Sequence, residues 1–371
     1  MANAFSKEER VAFEDILEGF NDALVLSRNV ATYSTDSTMM ERTNDIIWRP
    51  QPYIATSIDG APGTDISASY KNMTQLSVPA TIGFSKTVPW TLNAKELRDA
   101  LQENRLGDSA KQKLASDINV ALMNVASAQG TLFVKRAAAA TGFDDVAQAE
   151  AIFNEQGVPS YDRYLALSTR DYNGMASNLA GRQNVTDLPK EAYRRAYVGM
   201  IASFDTYKLD YANRVAAAGG AGLTIDTRDV AVNYYIPQAT SASVGGKINV
   251  DNRYQTVTVS STASVAAGDA FTIAAVNAVH HITKQDTGQL KTFRVISVTN
   301  GTTMVISPPI ISNQVANDAS AQYQNCVVNT KSATSAIVFL NTVAAYQNPF
   351  WQKEALEILP GRYAVPSDAG T

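Results

Sequence analysis

The stretch KINVDNRYQTVTVS, residues 247–260, decides how this chain is organised. Val257 and Val259 alternate there with hydroxyl-bearing residues, and this period of two predicts a half-buried β-strand. Strand-like runs continue to residue 307 without a helical period, although the segments on both sides read as helix or mixed structure. The layout therefore predicts an all-β domain inserted into a larger host.

A tight hairpin is predicted inside this all-β region. In FRVISVTNGTTMVIS, residues 293–307, Asn300 and Gly301 separate two apolar runs. Asparagine and glycine tolerate the positive φ angles of a type I′ turn, which suits a two-residue hairpin loop. We expect Asn300 and Gly301 to form the turn of a hairpin in the inserted domain.

The composition is that of a globular protein. The 371 residues are 45% hydrophobic and 18% charged, and this length predicts about two to three compact units. No apolar run is long enough to cross a membrane, and the charged opening MANAFSKEER lacks the apolar core of a secretory signal, so we expect folding in the cytoplasm. A net charge of −4 gives no clustered basic surface for nucleic acid.

Residues that could carry chemistry are few. His280 and His281 are adjacent in a strand-like context, where successive side chains point to opposite faces, so we expect them not to bind one metal together. Cys326 could act as a nucleophile only if a histidine approached it in space, and a buried core thiol is the favoured interpretation. None of the common hydrolase, zinc or phosphate-binding motifs is present. We expect no enzymatic activity, no cofactor and no metal site.

An amphipathic helix is predicted near the N-terminus. Ser6 and Glu9 have the spacing of a capping box, and apolar residues follow at helical intervals. The opposite face is acidic and includes Glu14, Asp15 and Glu18. Such a face is ordinarily a solvated one, and it can also receive a basic partner.

An extended hairpin is predicted after this helix. The chain from 33 to about 90 loses helical periodicity, and the sequence DGAPG marks a reversal whose residues include Asp59, Gly60, Pro62 and Gly63. Apolar residues then alternate strictly with polar or small ones from 76 to 85. Pro79 has no backbone donor, so this strand is predicted at an edge or in a protruding arm. A hairpin of this size is marginal alone, and we expect its apolar face to dock on another surface.

The order of these elements resembles that of a known family. The resemblance is carried by IIWRPQPY (46–53), WTLNAKELRD (90–99), LPKEAYRR (188–195) with SFD (203–205), and KINVDNRYQTVTVS (247–260). The sequence is similar to the major capsid (coat) proteins of short-tailed bacteriophages of the Salmonella podovirus type. These have the Hong Kong 97-type fold with an inserted β-barrel domain, and the resemblance covers nearly the whole chain.

The resemblance implies an α+β fold with a defined domain order. It implies an N-terminal arm helix over 1–34, and a peripheral domain over 35–135 with an extended loop (49–88) and a spine helix (108–134). It also implies an axial domain over 136–225 and 339–371, and an inserted all-β Greek-key barrel over 226–338. Family members continue beyond the position of Thr371, so further chain is expected there. A charged loop of the family, which reaches a neighbouring capsomer, corresponds here to PQATSASVGGK, in which Lys247 is the only charge, so the sequence does not support that contact role and leaves it open.

The implied function is that of a major capsid protein. Copies would assemble as hexamers and pentamers into an icosahedral shell around double-stranded DNA, without sequence-specific binding and without a membrane. A scaffolding protein, with Glu14, Asp15 and Glu18 as candidate contacts, and a portal protein are the implied partners, and decoration proteins are left open. The implied location is the virion capsid, assembled through a procapsid in the cytoplasm of the host bacterium.

Other functions remain open at this point. A phage tail or portal-type structural protein, or a surface-binding adhesin, would use the β insertion for recognition, although the signal-free N-terminus argues against an adhesin. A hydrolase is the least favoured, because only two histidines and one cysteine are available.

Overall fold

The computed structural model describes residues 25–33, 46–57, 60, 63, 65–81, 83, 86–89, 100–136, 142–180, 198–228 and 233–359. The predicted N-terminal helix with Glu14, Asp15 and Glu18 lies outside these residues. Within the described ranges, no helix is both long and apolar enough to span a membrane.

The described elements mix helices and strands along the whole chain. The helices are α1 (Val25–Arg28), α2 (Ala100–Gln129), α3 (Phe143–Gln156), α4 (Thr169–Ala180) and α5 (Asp318–Tyr323), with short 3₁₀ turns at Ser67–Ser69 and Lys353–Ala355. The strands are β1 (Ala31–Thr32), β2 (Ile46–Pro50), β3 (Ser77–Thr81), β4 (Arg163–Ser168), β5 (Met200–Ile201), β6 (Phe204–Leu209), β7 (Arg214–Val215), β8 (Thr224–Ile225), β9 (Thr240–Ser243), β10 (Gly246–Asn249), β11 (Gln255–Thr258), β12 (Ala270–Val279), β13 (Asp286–Asn300), β14 (Thr303–Ser307), β15 (Cys326–Val328), β16 (Ser335–Phe339), β17 (Ala345–Tyr346), β18 (Phe350–Gln352) and β19 (Glu357–Ile358).

A four-stranded mixed sheet in the order β18-β4-β6-β5 is the centre of one structural unit. Side chains of β4 alternate between its two faces, as strand geometry requires. Leu165 and Leu167 pack in a core with α3 and α4, whereas Ala166 packs in a second core with α1 and α2. Because both faces are covered, β4 is buried along its length. We call this sheet with helices α1 to α4 the sheet unit.

Helix α2 differs in its bounds from the spine helix predicted over 108–134. It has 30 residues, so it is about 45 Å long at 1.5 Å per residue. It ends before Gly130, where an added Cβ would lie 2.7 Å from the carbonyl oxygen of Ala126. Leu132, which falls within the predicted bounds of the spine helix, lies beyond the end of α2 and packs against the core of α3 and α4.

Only part of the apolar face of α2 is buried. Leu122 packs in the second core of the sheet unit, but Ile118 and Val125 are 37% and 45% exposed. The helical period correctly places these residues along one helix, but it does not say how much of the stripe a neighbouring element covers.

Residues 223–339 form a second unit, built from a closed ladder of strands that we call the β unit. The order is β11-β14-β13-β12-β16-β8, with β15 paired to β12. An antiparallel bridge between Ile225 and Val259 then joins β8 to the end of β11, and the Ser260 amide donates to the Thr224 carbonyl at 2.9 Å. The sheet therefore closes on itself. Its interior holds one apolar core that includes Val257, Phe271, Phe293 and Phe339.

The chain enters and leaves the β unit along adjacent strands. β8 pairs antiparallel with β16, and β7 pairs antiparallel with β17 just outside the unit. The Asn341 amide donates to the Ala216 carbonyl at 3.0 Å and to Asp269 Oδ1 at 2.8 Å, which ties the two connections together. The core takes in Leu223 and Phe339, just outside the predicted range of 226–338. Two-residue strands such as β8 are too short to give a periodic signal in sequence.

Two details of the β unit differ from the sequence expectations. The run KINVD does not join the closed ladder, because β10 pairs with β9 in a separate exposed hairpin. The β13–β14 hairpin lies where it was predicted, but Asn300 is paired with Thr303, so Gly301 and Thr302 form the loop. Neither Asn300 nor Gly301 has a positive φ, and the type I′ prediction is wrong. Instead the Thr302 backbone amide donates to Asn300 Oδ1 at 2.9 Å. This hydrogen bond from the backbone to the side chain two residues earlier forms an Asx-turn.

The β unit contacts the sheet unit at the C-terminal ends of two helices. Arg294 of β13 donates from Nε to the Gly130 carbonyl at 3.0 Å, just past α2, and from Nη1 to the Gly268 carbonyl at 2.8 Å. Lys291 Nζ lies 3.4 Å from Gln156 Oε1 at the end of α3. Cations are favourable there because the last carbonyls of a helix carry partial negative charge. Burial lowers the pKa of Arg294 to about 10 and also lowers that of Lys291.

We predict that residues 223–339 fold when expressed alone, because a closed ladder with one core and adjacent ends contains its own stabilising contacts. Val257 is 0% exposed, so Val257→Asp should cost more than about 3 kcal/mol and unfold the fragment. The exposed Thr258 on the same strand provides the control, since Thr258→Asp should cost about 1 kcal/mol or less. Amide NMR dispersion of the three fragments measures this, and a disordered wild-type fragment would contradict autonomy.

Candidate assembly surface

A ribbon of two strands leaves the sheet unit and carries several exposed apolar residues. β2 and β3 pair antiparallel, with Ile46 opposite Thr81 at one end and Pro50 opposite Ser77 at the other. Within the described residues no other strand joins their sheet. Pro79 stands opposite Trp48 in this two-stranded ribbon, where its missing donor is tolerated. We call residues 46–81 the arm.

The arm covers little of its own apolar surface. In the predicted alternating run, Leu76 is buried but Val78 and Ala80 are only half-buried. The large exposed side chains of the arm are Ile46 (53%), Tyr53 (56%), Ile66 (42%), Tyr70 (80%) and Met73 (58%). Several large apolar residues exposed on one segment mark an interaction surface, whereas a single one would be ordinary.

The predicted reversal of the arm lies partly within the described residues. Gly63 has a φ of +87°, a left-handed conformation that favours glycine, so a turn at this position agrees with the sequence. An added Cβ at Gly60 would lie 3.7 Å from Ile66, an ordinary contact distance. Asp59 and Pro62 lie outside the described residues.

Two contacts fix the base of the arm. On one side, Arg49 of β2 forms an ion pair with Glu357 of β19 and stacks 4.8 Å from the centre of the Tyr33 ring. On the other side, helix α5 of the β unit contacts the segment that leads into β3. Gln322 Oε1 accepts from the Thr74 amide at 3.0 Å, and its Nε2 donates to the Thr74 carbonyl at 3.1 Å.

Further hydrogen bonds strengthen the contact between α5 and the arm. The Tyr323 hydroxyl donates to the same Thr74 carbonyl at 2.8 Å, and the backbone amide of Asn72 donates to Asp318 Oδ2 at 3.2 Å. Sequence reasoning did not identify Gln322 or Tyr323, because the six residues of α5 carry no motif and contact the arm across more than two hundred residues of chain.

A second exposed hairpin corresponds to the segment PQATSASVGGK. β9 and β10 pair antiparallel, with Ser243 opposite Gly246 near the turn and Thr240 opposite Asn249 at the open end. Val244 at its tip is fully exposed, Ile248 is 54% exposed, and Lys247 is its only charged residue. This hairpin offers apolar and backbone groups instead of ion pairs.

The two histidines are closer together than predicted. β12 ends at Val279, so they lie beyond the strand, and their rings stack with centroids 6.0 Å apart; the prediction of opposite faces is wrong. Both pack on Gly157 at the end of α3, where an added Cβ would lie 2.6 Å from His280 Nε2. Burial lowers the pKa of His281. Across the described part of the chain, no three His, Cys, Asp or Glu residues are grouped to hold a metal ion.

Cys326 is a core thiol of the β unit. It is 0% exposed, packs among the apolar residues of the unit, and lies 3.5 Å from the Ile311 carbonyl. Burial raises the pKa of Cys326 to about 12, so the reactive thiolate is not formed near neutral pH.

Comparison with known proteins shows similarity along the whole chain. The family model described as "P22 coat protein - gene protein 5" matches residues 1–371. The solved structure of the CUS-3 coat protein I-domain is 40% identical, with a TM-score of 0.25 over 33% of this chain and 99% of that chain. A Mycobacterium phage Che8 structure is 14% identical (TM-score 0.38; 50% of this chain, 68% of that one), and the capsid structure of the Cyanophage P-SCSP1u is 13% identical (TM-score 0.34; 90% and 86%).

The buried thiol predicts a loss of stability at alkaline pH. In the folded state the pKa of Cys326 is about 12, whereas its unperturbed value is 9.0, so above pH 9 the unfolded chain releases a proton that the folded chain retains. This thiol should therefore cost on the order of 1 kcal/mol of stability between pH 8 and pH 10. Denaturant unfolding at the two pH values should show a smaller alkaline loss for Cys326→Ala than for wild type. Parallel losses would mean that the thiol also ionises in the folded protein.

Proposed function

This chain belongs to the P22 coat protein family, and from that membership we propose how its exposed surfaces build the shell of a phage capsid. The protein is a structural coat protein that forms the capsid shell. The observation that carries the proposal is the arm, a two-stranded ribbon with large exposed apolar residues and no third strand among the described elements. A surface of this kind favours a covering partner, and in a shell the available partner is a second copy of the chain.

The finer architecture that we propose is the Hong Kong 97-type fold. In this assignment the arm is the extended loop, α2 is the spine helix, and the sheet unit with its two cores belongs to the peripheral and axial domains. The β unit is the inserted barrel. Its closed ladder and its adjacent entry and exit strands support this assignment, because an insertion must begin and end at neighbouring points of its host.

The partners follow from this assignment. We propose that subunits group into hexamers and pentamers, that a scaffolding protein directs a procapsid in the bacterial cytoplasm, and that a portal protein occupies one vertex. The shell would enclose double-stranded DNA without reading its sequence, which agrees with a net charge of −4. A non-enzymatic role agrees with the buried, protonated thiol of Cys326.

We expect the purified protein, co-expressed with its scaffolding protein, to form closed shells that electron microscopy can count. Replacing Tyr70 and Met73 with serine should leave the subunit folded, because both side chains are more than half exposed in it. The same change should remove roughly 3 kcal/mol from each arm contact and abolish closed shells. Tyr161→Ser with Met200→Ser is the matched control, since these residues are 60% and 68% exposed outside the arm. Shells from the arm variant, or an equal loss in the control, would contradict an arm-specific contact.

The acidic face of the predicted N-terminal helix gives a second test. Replacing Glu14, Asp15 and Glu18 with lysine should reduce the scaffolding protein in the particles, because a basic partner segment would meet like charges. The reduction should be larger at low salt, where surface charges are less screened. Reversing three exposed acidic residues elsewhere, Glu155, Asp210 and Glu354, gives the same change in net charge as a control. Normal scaffolding content in the first variant would refute this contact.

A further inference from the structure

We propose that Gln322 is the residue that fixes the direction of the arm, by binding the backbone of Thr74 from the β unit. The proposal rests on the proposed function, since the direction of the arm matters only if the arm meets a neighbouring subunit. It assigns to the β unit a role in presenting the assembly surface of its own subunit.

In this contact the side chain of Gln322 takes the place that a neighbouring β-strand would have beside Thr74. A side-chain amide has one acceptor and one donor side, and Gln322 uses both on one residue, at 3.0 Å to the Thr74 amide and 3.1 Å to its carbonyl. An adjacent strand satisfies a backbone residue in the same paired way. Gln322 is 3% exposed, so its amide would be left unsatisfied inside the protein if Thr74 moved away.

The neighbouring contacts of Gln322 are concentrated on one short segment of the arm. Thr74 is half-buried, whereas the arm residues at 71–73 and 75 are exposed. Tyr323 and Asp318 act on the same short segment, through the Thr74 carbonyl and the Asn72 amide. A parallel bridge between Ser77 and Asp251 continues the contact into β3. The exposed Tyr70 and Met73 are thereby held beside a fixed point of the β unit.

The position of the β unit is itself fixed by Arg294 and Thr292 at the end of α2, where Thr292 Oγ1 donates to the Thr131 carbonyl at 2.6 Å. A continuous series of hydrogen bonds therefore runs from the spine of the sheet unit, through the β unit, to the arm. Removing the bonds of Gln322 should loosen the arm at Asn72 and Thr74 without unfolding either unit, while Arg49 still holds the other side of its base.

The first test needs no assembly and uses the full-length subunit. In Gln322→Leu, which keeps a similar volume, hydrogen–deuterium exchange at the amides of Asn72 and Thr74 should become about ten-fold faster. Exchange in β12 and β13 should remain unchanged. Tyr323→Phe, which removes one of the bonds to Thr74, should give a smaller acceleration.

Gln314→Leu is the matched control, because its side-chain amide donates to the Val328 carbonyl within the β unit and makes no hydrogen bond with the described residues of the arm. Unchanged exchange at Asn72 and Thr74 in Gln322→Leu would overturn the proposal. Equal acceleration in β12 and β13 would also overturn it, because Gln322 would then stabilise the β unit itself.

The second test asks whether the direction of the arm matters for shells. Gln322→Leu should give a lower yield of closed shells and more open or irregular particles than Gln314→Leu under the same conditions, as counted by electron microscopy. Faster exchange at Thr74 with a normal yield of closed shells would overturn the assembly role. If wild-type protein formed no shells, the proposed function would fail, whereas the exchange result would stand by itself.

Discussion

The attachment of Arg294 to the end of α2 is the contact on which the arrangement of the described units depends. A long helix ends with carbonyl groups that no residue of the helix can satisfy. Arg294 reaches the Gly130 carbonyl just beyond this end, stacks 5.3 Å from the centre of the Phe133 ring, and also holds the Gly268 carbonyl of its own unit. One guanidinium group thus satisfies backbone acceptors of both units, and its burial is compensated by these bonds.

Polar residues inside this protein serve structural roles of the same kind. Arg163 is 2% exposed and donates to the carbonyls of Pro159 and Val158 and to the side chains of Asn154 and Ser203. These acceptors are neutral, and burial lowers the pKa of Arg163. Its bonds fix the turn between α3 and β4, which places β4 at the centre of the sheet unit. Buried hydrogen-bond donors therefore fix the backbone conformation of such turns, whereas apolar packing alone would allow more than one conformation.

Assembly explains why the subunit leaves its arm apolar and uncovered. A protein that functions alone would risk aggregation through such a ribbon. In the proposed shell a neighbouring copy covers this surface, so a ribbon that is unfavourable in the single subunit becomes a contact between subunits. The contacts at Arg49 and Gln322 keep the base of the arm ordered while its outer residues remain available.

Much of the fold could be read from the chain. The alternation around Val257 correctly indicated an inward-facing residue, and the sequence order indicated an all-β region between mixed segments. The position of the β13–β14 hairpin also followed from local residues, because Asn300 and Gly301 interrupt two apolar runs. The exposed ribbon was indicated by Pro79, which cannot donate to a second neighbouring strand. Each of these features depends on residues close together in sequence.

Only the tertiary structure decided how these parts fit together. The closure of the ladder by Ile225 and Val259, the two-residue strands at its entrance, and the contacts of Arg294 and Gln322 join residues that are far apart in sequence. The turn type at Asn300 and the stacking of His280 on His281 also depended on neighbours that a local pattern cannot specify. By itself, the sequence determined the location of the longer strands and helices and the side of each that is apolar, because local periodicity encodes both. What covers each face was decided by long-range packing, because hydrogen bonds and apolar contacts between distant segments form only in the folded chain.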